Sequence, residues 1–307
     1  MIKKLIEDRE LLDHLNGLPE DGRQVMLLAD GRIRLTGLSG TTMVNQMRAN
    51  FNLGILETMV LGQAYLASGL MASSVKGNDR IQLAVDCGGP IGGIYTEAWA
   101  CGAVRGYLKN NRIKIDKPLE SWDLNELYGP GFISVTRILE GSRTPFTGQV
   151  MMQYGDLAKD LALYYNESEQ TPTMFSLGVH FDKQGRVTGA GGLFMQALPG
   201  CPEDVLDELQ KKSESLPSLS LALSNGVSVK DYCLTNFADF GVQYLSSEIL
   251  GFSCPCSKSG FSDFLANLPE KENKSILEEN KWPLELECFN CGTRYTFTKQ
   301  ETEEIFR

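Results

Sequence analysis

The chain has 307 residues, of which 42% are hydrophobic and 22% charged, so it carries enough apolar material for a core, and wholesale disorder is excluded. At roughly 100–200 residues per domain, one large and one smaller domain are expected. Thirty-nine acidic against 29 basic side chains give a net charge of −10. Binding to phosphates requires clustered positive charge, so nucleic acid is not expected as a partner.

Leu5, Leu11, Leu12 and Leu15 recur at helical spacing, which predicts a short amphipathic helix within residues 1–25, closed by Gly17 and Pro19. The first ten residues become charged before any apolar run forms, so no secretory signal is expected, and a cytoplasmic setting with reduced thiols follows. Residues 25–28 and 33–35 flank Ala29-Asp30-Gly31-Arg32, a hairpin signal. Residues 41–75 read as helical. The longest uncharged stretch, 58–75, contains Gly62, Gln63, Ser68, Gly69, Ser73 and Ser74, and reads as a buried, close-packed helix rather than a membrane span.

Residues 81–85, 94–96, 100–107 and 132–139 look extended, with a glycine-rich turn at 87–93. Residues 156–165 read as a helix, and 175–181 and 186–196 as two strands. Residues 1–200 therefore form an α+β domain in which β-sheets pack with helices, without regular βαβ alternation. After Pro199-Gly200 the composition shifts. Residues 201–247 read as a helical, marginally stable linker with a thin apolar stripe, and 248–307 as a small C-terminal domain. The acid gathers here, with 18 acids and 10 bases in residues 201–307.

Only two histidines occur, His14 and His180, which excludes mechanisms built on several imidazoles. His180 reads as a satisfied or exposed strand residue. Gly37-Leu38-Ser39-Gly40-Thr41 lacks the second glycine of a nucleophile elbow. Gly88-Gly89-Pro90-Ile91-Gly92-Gly93 does not fit a dinucleotide fingerprint, and no Gly-Lys dipeptide supplies a phosphate loop, so no nucleotide is expected.

Of eight cysteines, Cys87, Cys101, Cys201 and Cys233 are scattered among apolar or small residues and read as small hydrophobes. The other four form Cys254-Pro255-Cys256 and Cys288-Phe289-Asn290-Cys291, separated by 31 residues. Four thiolates are the ligand set of tetrahedral Zn²⁺, and Cys-x-x-Cys-Gly running into a strand is similar to a zinc knuckle. Such a site serves as a structural staple for a small acidic module. Thiols as close as Cys254 and Cys256 can also form a strained disulfide, and zinc-bound thiolate is the form that oxidants attack, which opens a redox-switch reading.

The cysteine pattern resembles the redox-regulated heat shock protein 33 family, the 33 kDa chaperonins. The likeness is also carried by Leu70-Met71-Ala72-Ser73-Ser74-Val75-Lys76-Gly77, the glycine run at 88–93, Val104-Arg105-Gly106-Tyr107, residues 168–173 and Gly191-Gly192. It covers most of residues 30–307, and the helix within 1–25 departs from it. The resemblance implies an ATP-independent holdase, not an enzyme, that is inactive when reduced with one Zn²⁺ on Cys254, Cys256, Cys288 and Cys291. On oxidation it implies disulfides Cys254–Cys256 and Cys288–Cys291, loss of zinc, unfolding of the C-terminal region, loss of order in the linker, binding of unfolding client proteins and homodimerisation.

Two other classes compete. A zinc-ribbon module for nucleic acid or a transcription protein is disfavoured by the seven bases and eleven acids of residues 248–307. A thioredoxin-like oxidoreductase is disfavoured because Cys291-Gly292-Thr293-Arg294-Tyr295 leads towards a strand, not a helix.

Overall fold

The computed structural model describes residues 4–114, 124–142 and 144–306. The chain opens with helix α1 (Arg9–Asn16), whose first turn is capped by the Asp8 carboxylate accepting from Leu11 N. Leu11 and Leu15 are buried, whereas Leu5 precedes the helix and is exposed. Strands β1 (Gly22–Leu28) and β2 (Ile33–Ser39) form the expected hairpin. The helical stretch divides into α2 (Thr41–Phe51) and α3 (Ile55–Met71), because Asn52 takes the left-handed conformation and ends α2. Next come β3 (Arg80–Cys87), β4 (Gly93–Trp99) and β5 (Ala103–Leu108). The extended expectation for 100–107 fails over 100–102, which turn. Gly102 has φ +87° there, and an added Cβ would stand 1.9 Å from the Ile249 carbonyl oxygen.

Then follow α4 (Asn125–Tyr128), β6 (Gly131–Ile138), β7 (Phe146–Met151), α5 (Leu157–Ser168), β8 (Thr173–Phe181) and β9 (Val187–Ala197). The linker holds α6 (Glu203–Glu214), α7 (Leu219–Ser224) and α8 (Val229–Asn236), and then turns extended as β10 (Gln243–Ile249) and β11 (Gly251–Phe252). Helices α9 (Lys258–Ala266) and α10 (Glu270–Glu279), strands β12 (Leu284–Glu287) and β13 (Arg294–Phe297), and α11 (Lys299–Ile305) complete the chain.

Two sheets frame the core. One has the order β10-β1-β2-β9-β8 and the other β11-β5-β4-β3-β6-β7; all pairings are antiparallel except β11 on β5. Helix α3 lies between them. Its Val60, Leu61, Ala64 and Tyr65 share one buried cluster with Leu38 of β2 and Ile81, Leu83 and Val85 of β3. Residues Ile55–Ser74 are long and apolar enough to cross a membrane, yet 83% of that window is buried inside the protein, as in a core helix.

The outer face of the first sheet is covered by the linker helices. Met26, Leu28, Ile33, Leu35, Leu193 and Met195 pack with Leu209, Leu219, Leu223, Val229, Tyr232 and Phe237. The linker's stripe looked thin because its apolar partners lie on the sheet, far away in sequence. Bare glycines on that face permit the close approach: a Cβ on Gly189 would meet Ser220 O at 2.0 Å and Ser224 N at 2.7 Å, both backbone atoms. Gly189→Ala is therefore expected to push α7 off the sheet, at a cost of about 1–3 kcal/mol for overpacking. Limited proteolysis should cut the variant within residues 201–247 faster than the parent. Equal rates would place the helix elsewhere.

Asp21 ties the start of β1 to α2, its carboxylate accepting from Met43 N at 2.7 Å. Burial raises its pKa to about 6, against the hydrogen bonds from Met43, Thr42, Thr41 and Ser39. Between about pH 4 and 6 the folded state thus holds more protons at Asp21 than the unfolded state, so this group's contribution falls as pH rises, by roughly 2–3 kcal/mol in all. Asp21→Asn keeps an acceptor oxygen without the charge. Denaturant titrations at pH 4 to 7 should show that component lost in the variant and its stability raised at pH 7.

Candidate metal centre

The strands deliver the four cysteines. Strand β11 lies parallel to β5, with Gly251 N donating to Gly102 O at 3.0 Å and Ser253 N to Val104 O at 3.0 Å. This pairing carries Cys254 directly onto the edge of the second sheet. The second pair sits at the tip of the β12–β13 hairpin, whose register runs from Leu284 opposite Phe297 to Glu287 opposite Arg294. There Cys288 N donates to Thr293 O at 2.9 Å, and Gly292 N and Cys291 N both donate to Cys288 O. This tight knuckle points Cys288 and Cys291 at the first pair.

All four sulfurs lie within 4.8 Å of one another. Cys254 Sγ is 3.8 Å from Cys288 Sγ, and Cys256 Sγ is 3.4 Å from Cys291 Sγ. A tetrahedron with metal–sulfur bonds of about 2.3 Å has sulfur–sulfur edges of about 3.8 Å, so the donor set fits a four-coordinate thiophilic cation. Cys254, Cys288 and Cys291 are buried and Cys256 half-buried.

Further groups surround the sulfurs. Arg105 Nη1 lies 3.7 Å from Cys254 Sγ. The Tyr295 hydroxyl donates to the Cys256 carbonyl at 3.0 Å and stands 3.2 Å from its sulfur. Thr293 Oγ1 is 3.2 Å from Cys291 Sγ. Arg105 is itself held by Glu97, whose Oε2 accepts from Nε at 2.8 Å and pairs with Nη2 at 2.6 Å. Tyr95 donates to the same carboxylate, whose side chain is only 4% exposed.

The electrostatics agree with the geometry. Hydrogen bonds from Cys288 and Cys291, with Arg105 beside it, push the Cys254 thiol far below its ordinary value. Cys288 is pushed far above, first by its bond to Cys254. Burial raises Cys256 to about 11. Four thiolates packed this closely would repel one another without a cation between them.

Around the hairpin, the cluster of Leu265, Tyr295 and Phe297 is small. One sequence expectation changed. Cys233 is buried and Cys87 and Cys201 half-buried, but Cys101 is exposed, so it does not pack as a small hydrophobe. His14 donates from Nε2 to Thr188 O, and His180 lies half-buried on β8, both away from the sulfurs. Arg105, Glu97, Thr293 and Tyr295 were not foreseen as site residues. The one signal was Arg105 within the Val104–Tyr107 motif, whose strand alternation gave no hint of a sulfur partner.

A family model described as Hsp33 protein matches residues 21–298. The chain belongs to the Hsp33 family. An Hsp33 relative from Desulforamulus reducens, named 33 kDa chaperonin, is 34% identical over 280 residues, covering 91% of this chain and 95% of the relative. Another 33 kDa chaperonin, from Ruminiclostridium cellulolyticum, is 31% identical over 286 residues, covering 92% and 96%. The crystal structure of the 33 kDa chaperonin, an Hsp33 homologue, from Thermotoga maritima superposes with a TM-score of 0.82 at 28% identity, covering 94% of this chain and 98% of that one. The Hsp33 chain described here is thus a chaperone of mixed α+β architecture, with a small cysteine-bearing region near its C-terminus. Its relatives are named for chaperone action and not for catalysis.

Proposed function

We propose that this protein is a cytoplasmic, ATP-independent holdase switched by oxidation of Cys254, Cys256, Cys288 and Cys291. The observation that carries the reading is the convergence of four sulfurs beside the β11–β5 pairing, because there a change in sulfur chemistry acts on the junction between core and C-terminal module. In the reduced state these four thiolates hold one Zn²⁺, which supplies a cross-link that a sparse core cannot. Residues 1–200 act as the core, 201–247 as a releasable cover and 248–307 as the sensor.

Hydrogen peroxide oxidises each motif in turn. Two zinc-held thiolates give up two electrons and join as one disulfide, while the peroxide O–O bond breaks and its two oxygens take two protons from solvent and leave as two waters. The pairs we assign are Cys254–Cys256 and Cys288–Cys291. Each disulfide removes two thiolate donors, so the chain no longer holds a four-coordinate cation. The hairpin then loses its tie to Cys254, and strands β11 and β10, where the linker ends, lose their anchor. Helices α6 to α8 come away and uncover the apolar outer face of the first sheet, including Leu35, Leu193 and Met195. That face takes unfolding clients or a second copy of the chain.

The test is peroxide with mild heat. It should release one zinc per chain, produce the two assigned disulfides in peptide mapping and suppress aggregation of a denatured client without nucleotide. Oxidised protein that keeps its zinc and leaves aggregation unchanged sinks the reading. Salt-dependent binding of nucleic acid would favour a zinc-ribbon module instead.

A further inference from the structure

A second region, not formed by the paired cysteines, gathers charge of the opposite sign to the chain as a whole. A cavity of about 510 Å³ opens between β1, β2 and the turn that follows α3, lined by Arg23, Arg34, Ser73, Lys76, Cys101 and Glu248 among others. Arg23 is 6% exposed, and its guanidinium donates to the carbonyls of Gly69 and Ala100. Arg34, half-buried on β2, donates to the Ser73 carbonyl. These carbonyls satisfy some of the N–H groups. They do not balance the charge, since backbone carbonyls are dipoles that carry only partial negative charge.

Among the described residues, no carboxylate lies within 4.0 Å of Arg23, Arg34 or Lys76. Glu248, which faces Arg23 across the β1–β10 ladder, is the single acid on the cavity wall. Three cations thus converge against one carboxylate. Burial lowers the pKa of both arginines; at Arg23 the Glu248 carboxylate opposes that shift, and Arg34 adds to it more weakly. Buried like charges are costly to keep without a counter-ion. Planar guanidiniums match the oxygens of tetrahedral anions two at a time, while the Ser73 hydroxyl on the wall is paired with Thr36 Oγ1 at 3.1 Å.

We infer that this cavity is a binding site for a small tetrahedral oxyanion of the phosphate class. The anion would sit between Arg23 and Arg34, with Lys76 at the mouth. Sequence reading passed the region by, because Arg23 and Lys76 are 53 positions apart and lie in separate elements.

Titration of the reduced full chain with inorganic phosphate, against sodium chloride at equal ionic strength, tests this. The expected result is saturable binding by calorimetry, weakened at least tenfold in Arg34→Gln and in Lys76→Glu. Lys76 is exposed, so its variant reports on binding even if loss of Arg34 disturbs folding. Alkylation of Cys101 by iodoacetamide, quantified at that residue by mass spectrometry, should slow with the same half-saturation. No saturable binding beyond the chloride control overturns the site. So does undiminished binding by Lys76→Glu, or a Cys101 rate unchanged at saturating phosphate.

Discussion

Replacing Cys288 with serine is expected to abolish metal retention and melt residues 248–307 while the two-sheet core stays folded. Cys288 is buried at the hairpin tip, 3.8 Å from Cys254 Sγ, and its carbonyl accepts the knuckle's two backbone N–H groups. A serine hydroxyl is a poor substitute for thiolate, and three sulfurs leave a structural site incomplete. The proposed ion contributes folding energy on the order of 10–16 kcal/mol in small zinc peptides. The module's own cluster, centred on Leu265, Tyr295 and Phe297, is too small to replace that. Zinc content should fall from about one per chain to near zero, since the site requires all four ligands. Trypsin should cut between α9 and α11 at rates typical of open chain. A chelator acting on the parent protein should reproduce the pattern. Cys233→Ser is the control: that thiol is buried under α8, and burial raises its pKa to about 12, so its loss affects the linker core and not the metal. A Cys288→Ser protein with full zinc and an intact C-terminal module would refute the ligand assignment.

What the sequence made legible follows the range of each interaction. The β1–β2 hairpin is local, written in alternation and an Asp-Gly turn, and it forms as read. The burial of α3 was also legible, because small residues such as Gly62 and Gly69 exist to admit neighbours. A Cβ on Gly69 would touch side-chain atoms of Leu38 and Leu250, from opposite ends of the chain. The paired cysteines advertise a shared ligand by spacing alone. Strand β7 was missed because Phe146, Thr147, Gln149 and Met151 do not alternate: Phe146 and Met151 remain exposed, so no buried face left its period in the sequence. Strand β10 was missed for a similar reason. Every one of its residues is exposed, and its place is set by backbone pairing to β1. The support around the sulfurs was illegible because Arg105 and Cys254 are 149 positions apart and meet only through the parallel β11–β5 contact.

That distant support leads to a second large effect. Glu97→Gln is expected to destabilise the core by roughly 3–5 kcal/mol, the usual cost of breaking a buried ion pair by removing one partner. The variant leaves the Arg105 guanidinium, 19% exposed, without its carboxylate. Burial opposes the charge on Glu97, but Arg105 and the hydrogen bonds from Gln82 and Tyr95 prevail and lower its pKa. With the folded pKa below the unfolded one, the pair's contribution is present above about pH 4 and is lost as pH falls further, because the unfolded state then binds more protons. Denaturant titrations from pH 7 to 3 should show this acid-side loss in the parent and its absence in the variant. Arg105→Gln separates the two partners of that guanidinium. It removes the Nη1 contact to Cys254 Sγ, and a hydrogen bond to a charged group contributes roughly 1.5–3 kcal/mol. Zinc transfer to a chelator should therefore run about tenfold faster or more, since each 1.4 kcal/mol is a factor of ten. The double variant should recover part of the stability lost in Glu97→Gln, because the Arg105 charge is gone and only Arg80, 3.7 Å from Glu97 in the parent, still lacks its carboxylate, yet it should keep the fast zinc transfer. Recovery of slow transfer in the double variant would mean that Arg105 acts on the sulfurs only through the fold of the sheet.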